Sequence, residues 1–484
     1  MILDASPKAG LHIGHERVTT SSAGTYRHLH PVTQQPQAEI PLAGKAEMDR
    51  AIAKAQASFP AWRAVTPEQR RDTLMKLAGL IHDNAEEFGR LAALDGGTAL
   101  TLGVAMAHTA AEFHAYYAGW ADKIDGKFLA SYDTRGHMSY TLPEPYGVVG
   151  IISTWNGPLF SLGMKAAPAL AAGNCVIVKP AEMTPFACSY YAELAREAGI
   201  PDGVLSILAG APEAGEALVS HPAVEKISFT GGPIAARKIL IACAEQLKPT
   251  VLELGGKSAS LVFPDVDIET VCQQALGGTI AIMAGQGCAL PTRLVVHDSI
   301  HDQVVARLVE IAKTYKVGDP LDQATVVGPV INSAARDRIM GMLDRVRSEG
   351  SGKIVLGGNL CGGDLAGGNY IEPTIITEVL PDSEIAQTEI FGPVLVVQRF
   401  STEDEAVALA NATKYGLAAY IQSSDQKRIH RLAERLKSGG VYVNGAISVM
   451  PHVPFGGLGL SGYGKEGGRA GLDEFLRYKT VIAA

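Results

Sequence analysis

Cysteine is scarce in this chain. Six residues, Cys175, Cys188, Cys243, Cys272, Cys288 and Cys361, are scattered over 484 positions. None forms a CxxC pair and no HxxxH pair stands near them, so no zinc site is expected and no metal is assigned. Long apolar runs are missing too. The longest candidate, Ala166 to Val178, is interrupted by Pro168, Gly173 and Asn174, well short of the roughly 18 residues of a membrane span. Basic residues are not in excess: 42 Lys and Arg face 50 Asp and Glu, a net charge of −8. That balance argues against a nucleic-acid or anionic-membrane partner. The stretch Met1 to Gly10 carries Asp4 and no apolar core, so it does not read as a secretory signal. Few cysteines and no signal together predict a reducing, cytoplasmic setting.

What remains is an ordinary globular composition, 47% hydrophobic and 19% charged, with length for two or three domains. The first segment reads as helical. Thr66-Pro67-Glu68-Gln69 is a capping box with proline at the first helical position, followed by Leu74, Leu77, Leu80 and Ile81 at helical spacing. From about residue 148, β-branched runs (148–154, 175–178, 204–208, 227–230) alternate with helical stretches (185–198, 212–220, 233–244). A second such set has strands at 293–296, 394–400, 419–423 and 441–444, with helices at 299–313 and 403–411. This alternation predicts an α/β protein with parallel sheets. The glycine-rich 357–368 reads as a loop. Gly457-Leu-Gly459-Leu-Ser-Gly462 fits GxGxxG but follows no strand and has too little chain behind it, so it is read as a structural loop.

Several residues suggest chemistry. Cys288, in Gly285-Gln-Gly-Cys288-Ala289, has small neighbours that leave a sulfur approachable, whereas a core cysteine sits among bulky side chains. A nucleophile there would also want a depressed thiol pKa. Glu253 interrupts an apolar strand-like run; it is either a buried, hydrogen-bonded acid or a general base raised by burial. Asn156 follows the 148–154 strand, as a turn residue or an oxyanion donor. Lys179 and Glu182 end another strand, where this architecture binds ligands. Phe229-Thr-Gly231-Gly232-Pro233 ends a third and opens a helix whose free N–H groups suit a pyrophosphate.

Taken in order, Tyr116-Tyr-Ala-Gly-Trp-Ala-Asp, Trp155-Asn156, Lys179-Pro-Ala-Glu182, Phe229-Thr-Gly-Gly232, Glu253-Leu-Gly-Gly-Lys257, Gly285-Gln-Gly-Cys288, Glu389-Ile-Phe-Gly-Pro393 and Pro454-Phe-Gly-Gly457 resemble the aldehyde dehydrogenase superfamily. The likeness spans nearly the whole chain. It departs at Met283-Ala284, where Asn-Gln is usual, at Gly232 and Ala236, where many members have Ser and Gly, and at Gly157, where an aromatic usually follows the asparagine.

The resemblance implies a Rossmann-like cofactor domain (1–126 and 147–256), an α/β catalytic domain (257–460), and a β oligomerisation arm with a C-terminal segment (127–146 and 461–484). It implies a homodimer or homotetramer and a small-molecule aldehyde as substrate. Cys288 would attack the aldehyde, Asn156 and the Cys288 N–H would hold the oxyanion, and Glu253 would activate water against the thioester. NAD is the implied cofactor, preferred over NADP, with Trp155, Lys179, Glu182, Gly210, Gly231, Gly232, Leu254, Glu389 and Phe391 around it. Phe113, Tyr117, Gly157, Ser161, Met164, Gly287, Ala289, Val449, Met450 and Phe455 are the expected pocket, which reads as roomy and free of Arg or Lys. A bulky aldehyde, aromatic or medium to long in chain, is therefore expected. The alternatives within the superfamily are a CoA-acylating enzyme, against which Glu253 argues, and a non-catalytic structural member, against which the retained Cys288, Glu253 and Asn156 argue.

Overall fold

The run Val148–Ile152 (VVGII) is buried at every position, as is Cys175–Lys179 (CVIVK). Strands with two buried faces belong to the middle of a parallel sheet covered by helices on both sides. The computed structural model describes residues 8–130 and 137–483. The reading of Met1 to Pro7, positions 131–136 of the expected arm and Ala484 lie outside those residues.

Eight strands form the first sheet, in the order Gly462–Tyr463, Thr250–Glu253, Val224–Thr230, Val148–Ile152, Cys175–Lys179, Leu205–Ile207, Leu11–Ile13 and Glu16–Val18. The five central strands run parallel. From Val148–Ile152 the chain winds outward through 175–179 and 205–207, then returns to the other flank with 224–230 and 250–253. The winding direction therefore reverses between Val148–Ile152 and Val224–Thr230, and a crevice opens at their carboxyl ends.

The second sheet has seven strands, in the order Lys353–Leu356, Thr374–Thr377, Val394–Phe400, Arg293–His297, Ala259–Val262, Ala418–Gln422 and Gly440–Val443. All pairs are parallel except the edge strand Lys353–Leu356. A third sheet joins Leu476–Ala483, Met138–Pro145 and Phe128–Leu129 antiparallel. Each strand expected across 148–444 is observed to within a few residues, while Ala259–Val262, Lys353–Leu356 and Thr374–Thr377 were not anticipated. The expected helices are also observed, including Pro67–Asp83, where Thr66 Oγ1 accepts from the Gln69 N–H, while Pro158–Ala171, Ser333–Glu349 and Gln426–Arg435 were not anticipated.

One expectation is corrected. The first segment is not simply helical: four short strands precede helix Lys45–Ala64, and Leu11–Ile13 joins the large sheet through the pair His12–Ile207. The C-terminal segment reaches two sheets and the first core. Gly462–Tyr463 pairs with Thr250–Glu253, while Leu472, Phe475 and Leu476 pack into the first core. The 457–462 stretch is a loop, and the Ser461 hydroxyl donates to the Gly255 carbonyl (2.7 Å).

Candidate active site

Every cofactor-facing expectation in the first half of the chain falls at one edge of the first sheet. Trp155 and Asn156 follow strand 148–152, and Lys179 and Glu182 end strand 175–179. Gly210 follows 205–207, Gly231 and Gly232 follow 224–230, and Glu253 and Leu254 end 250–253. Gly232 caps helix Pro233–Ala244, and a β-carbon there would meet nothing within 4 Å. That leaves the N–H groups of the first turn open to an anion. Lys179 is buried, its ammonium 3.8 Å from the Glu182 carboxylate, and burial lowers its pKa. The Ser153 hydroxyl is buried at the same edge without a partner. An open helix N-terminus, a lysine and a carboxylate along one crevice fit a dinucleotide.

Cys288 lies in the loop before strand Arg293–His297, at the amino edge of the second sheet. This places it against the carboxyl edge of the first. A β-carbon on Gly256 would sit 2.2 Å from the Cys288 carbonyl oxygen, so the Glu253-Leu-Gly-Gly segment and the cysteine loop touch through their backbones. Asn156 Nδ2 donates to the Gln286 carbonyl (2.8 Å), which ties the amide to the same loop. Its second N–H is left for another acceptor. The loop is itself strained: Met283 and Ala284 have φ of 49° and 51°, followed by Gly285 at 75°. Non-glycine residues in that region carry a cost that surrounding contacts must hold. Here Gln286 does so, accepting from the Ile331 N–H (2.9 Å) and donating to the Met283 carbonyl (2.8 Å).

Cys288 is half-buried beside Ala289, Tyr420, Tyr442, Ile447 and Phe455. Its thiol is not depressed, contrary to the simple expectation for a nucleophile. Burial and the nearby Glu389 and Glu253 carboxylates push it up to about 12. Glu253 is buried, both carboxylate oxygens lack hydrogen-bond partners, and burial with the neighbouring Glu466 raises its pKa well above the usual range. Lys165 pairs with Glu466 and donates to the Ser228 hydroxyl (2.9 Å), all in the interior. Lys165 and Glu466 were missed in the sequence reading. They are 301 positions apart, and no local pattern marks them.

Glu389 accepts from the Gly256 N–H (2.9 Å), and burial raises its pKa to about 7. A β-carbon on Gly255 would lie 2.3 Å from its carboxylate. Phe391, at φ 53°, meets Trp155 edge to face with ring centroids 5.4 Å apart. Glu389 and Phe391 thus come to the same junction as Glu253 and Cys288.

The expected pocket residues divide. Gly157 lines a small cavity of about 40 Å³ beside Asn156, together with Met106 and Phe160, which the sequence reading had not singled out. Phe113 and Tyr117 are core instead: both are fully buried, and Phe113 backs Phe160 at 5.7 Å. Their i, i+4 spacing marked a packed face, not a cavity wall. Met164 is likewise in the first core, and Ser161 is buried with an unpartnered hydroxyl. Gly287 is not open space, because Leu290 occupies the position of its β-carbon at 2.8 Å. Ala289 and Phe455 do lie by the cysteine, while Val449 is half-buried and Met450 exposed. Among the described residues, no group of three or more His, Cys, Asp or Glu is placed to hold a metal. None of their helices is long and apolar enough to cross a membrane.

Comparison with known proteins agrees with this geometry. The sequence profile of the aldehyde dehydrogenase family matches residues 18–481. An aldehyde dehydrogenase of Emericella nidulans is 38% identical over 476 residues, covering 98% of this chain and 94% of that one. The chloroplastic betaine aldehyde dehydrogenase of Atriplex hortensis is 38% identical over 470 residues, covering 94% and 92%. Among solved structures, betaine aldehyde dehydrogenase from Staphylococcus aureus in complex with NAD+ superposes with a TM-score of 0.95 at 35% identity, covering 99% of this chain and 95% of that one.

Proposed function

Because this chain belongs to the aldehyde dehydrogenase family, we propose that it oxidises an aldehyde to the carboxylic acid with NAD+, through a thioester on Cys288. The carrying observation is the meeting of Cys288, Asn156 and Glu253 where the two sheets face each other. The Cys288 sulfur adds to the aldehyde carbon, and the new oxyanion takes the free Asn156 N–H and the Cys288 backbone N–H. The dinucleotide, when bound, supplies the acceptor for the hydride that leaves this carbon. Glu253, as carboxylate, takes a proton from water, whose oxygen displaces the cysteine sulfur and releases the acid. Aldehyde, NAD+ and water thereby become acid, NADH and a proton.

Lys179 and Glu182 would meet the adenosine ribose, the first turn of Pro233–Ala244 the pyrophosphate, and Glu389 with Phe391 the nicotinamide end. A carboxylate at Glu182 accepts from a ribose hydroxyl and repels a 2′-phosphate, which supports NAD over NADP. The substrate reading is a bulky aldehyde, supported by the absent side chain at Gly157, next to Asn156. The arm sheet leaves Phe128 (75% exposed) and Ile482 (67%) uncovered. That supports a second copy of the chain as its partner, as a dimer or tetramer. All six cysteines are unpaired, in keeping with a reducing, cytoplasmic setting.

The test is a panel of aldehydes with NAD+ and NADP+, read as absorbance of the reduced cofactor, alongside the mass of the particle by light scattering. No reduction with any aldehyde defeats the reading, and a monomer defeats the arm assignment.

A further inference from the structure

The chain turns sharply just before the nucleophile. Met283 (φ 49°, ψ 37°) and Ala284 (φ 51°, ψ 42°) are both left-handed, and Gly285 follows at φ 75°. Two consecutive non-glycine residues in that region are costly for L side chains. The turn lays Gly285 on the segment that follows Phe391: a β-carbon there would lie 1.9 Å from the Gly392 carbonyl oxygen. That contact places residue 285. The orientation of the peptides leading on to Cys288 is set by the next residue.

Gln286 is buried, and each of its polar groups is engaged. Its backbone N–H (3.1 Å) and its side-chain Nε2 (2.8 Å) both donate to the Met283 carbonyl, clamping the left-handed turn. Its Oε1 accepts from the Ile331 N–H (2.9 Å). That anchor is itself held on both sides. The Val330 N–H donates to the Asn369 carbonyl (2.9 Å), and Asn332 caps helix Ser333–Glu349 by accepting from the Ala335 N–H (2.8 Å). Finally, the Gln286 carbonyl accepts from Asn156 Nδ2 (2.8 Å). An amide carries its two N–H groups in one rigid plane, so the first bond sets the direction of the second.

We propose that Gln286 is the positioning residue of the oxyanion site: its side chain holds the strained turn, so that its carbonyl aims the free Asn156 N–H and its peptide plane aims the Cys288 N–H at one point. This rests on the aldehyde dehydrogenase reading above and deepens it. Gln286 itself touches no reacting atom. As the sulfur–carbon bond forms, the carbonyl π pair moves onto the aldehyde oxygen, and only then does charge build there. Misdirected donors therefore slow that step and leave ground-state binding alone. Alkylation of the same thiol by displacement at a saturated carbon builds no oxyanion, and is indifferent to the pair.

The experiment compares two rates at Cys288. One is first-turnover reduction of NAD+ with benzaldehyde or propanal, followed by stopped flow. The other is alkylation of Cys288 by iodoacetamide in the cofactor-free enzyme. Gln286→Met keeps the volume and removes both side-chain bonds. The first turnover slows about a hundredfold. KM for the aldehyde, dinucleotide affinity and the alkylation rate stay within about threefold. Adding Met283→Gly makes the left-handed turn free of strain, and the double variant recovers about tenfold or more of the lost rate. A loss of packing alone is not rescued by a glycine. Met283→Val, with Gln286 intact, works the other way: a β-branched residue resists this conformation, so the first turnover slows while alkylation does not. A Gln286→Met enzyme with wild-type first turnover overturns the assignment. So does alkylation that falls in step with oxidation, a double variant no faster than Gln286→Met, or a Met283→Val enzyme with wild-type first turnover. If Gln286→Met does not fold, Met283→Val alone decides. A wild-type enzyme that oxidises no aldehyde of the panel defeats the parent reading instead.

Discussion

Gly256 and Cys288 meet through their backbones, with room for no atom between them: a β-carbon on Gly256 would lie 2.2 Å from the Cys288 carbonyl oxygen. The obstacle is main chain, which cannot swing aside as a side-chain tip can. Gly256→Ala should therefore displace the nucleophile loop. Displacements of about 1 Å at a reacting centre cost about a hundredfold in rate. The expected outcome is a kcat lowered by about that factor in a protein whose circular dichroism is unchanged. A variant with wild-type kcat would mean that the contact is slack and does not position the sulfur.

In the proposed mechanism Cys288 and Glu253 serve separate halves of the reaction. Cys288→Ala should abolish aldehyde oxidation while dinucleotide binding, followed by fluorescence titration, survives. Glu253→Gln should still form the thioester but hydrolyse it slowly. The signature is a burst of about one reduced cofactor per active site, followed by a slow steady state. An unchanged steady-state rate would remove Glu253 from the mechanism, and loss of folding without a burst would return it to a structural role.

Both groups respond to pH in the same direction. Burial and neighbouring carboxylates hold the Cys288 thiol up at about 12, and burial with Glu466 holds Glu253 well above the usual carboxylate range. An acid with a raised pKa keeps its proton to higher pH, whereas the nucleophile must be thiolate and the base carboxylate. Activity should accordingly rise as pH increases above neutral. In the cofactor-free protein, alkylation of Cys288 by iodoacetamide should accelerate about tenfold per pH unit between 7 and 9. Peptide mapping by mass spectrometry distinguishes it from Cys361. A rate that levels off below pH 8 would show that the thiol is not held up.

Glu182 is the proposed determinant of cofactor choice. Its carboxylate lies 3.8 Å from the Lys179 ammonium, so in the proposed binding mode the pair would offer the ribose one acceptor and one buried cation. Glu182→Gln removes the charge that repels a 2′-phosphate and keeps the size. The NAD+ to NADP+ ratio of kcat/KM should fall by about tenfold or more, with most of the change in KM. An unaltered ratio would place the discrimination elsewhere.

The strands at 148–152, 175–179 and 394–400 were legible because each is a local β-branched run bounded by turn residues. The helices were legible through caps such as Thr66 and Pro233. What escaped was decided at a distance. Leu11–Ile13 is three residues long; it pairs with Glu16–Val18 and joins the large sheet through Ile207, far along the chain. Helical spacing put Phe113 and Tyr117 on one face but could not say whether that face met core or cavity. Small neighbours made Gly287 look open until Leu290 folded over it. Cys288, Asn156, Glu253, Lys179 and Glu389 were legible through motif order, yet the raised thiol was not. It follows from burial, and from carboxylates brought in by residues 389 and 253 on separate segments.

The buried pair Lys165 and Glu466 gives the last prediction. Lys165 is 1% exposed, and its ammonium contacts the Glu466 carboxylate and the Ser228 hydroxyl. Removing one partner of such a pair leaves a charge in the interior with no compensation, which costs about 3–5 kcal/mol. Lys165→Met should therefore lower the midpoint of urea unfolding substantially. It should also raise Glu253 further, since Lys165 is the first of the cations that favour its ionised form. With less carboxylate at a given pH, hydrolysis slows and the rising limb of the steady-state pH profile moves to higher pH. Adding Glu466→Gln removes the orphaned charge as well as the repulsion on Glu253. The double variant should recover most of the stability and move the pH limb back. If Lys165→Met unfolds at the wild-type midpoint, or the double variant is no more stable than the single, the pair is not the electrostatic support of the base.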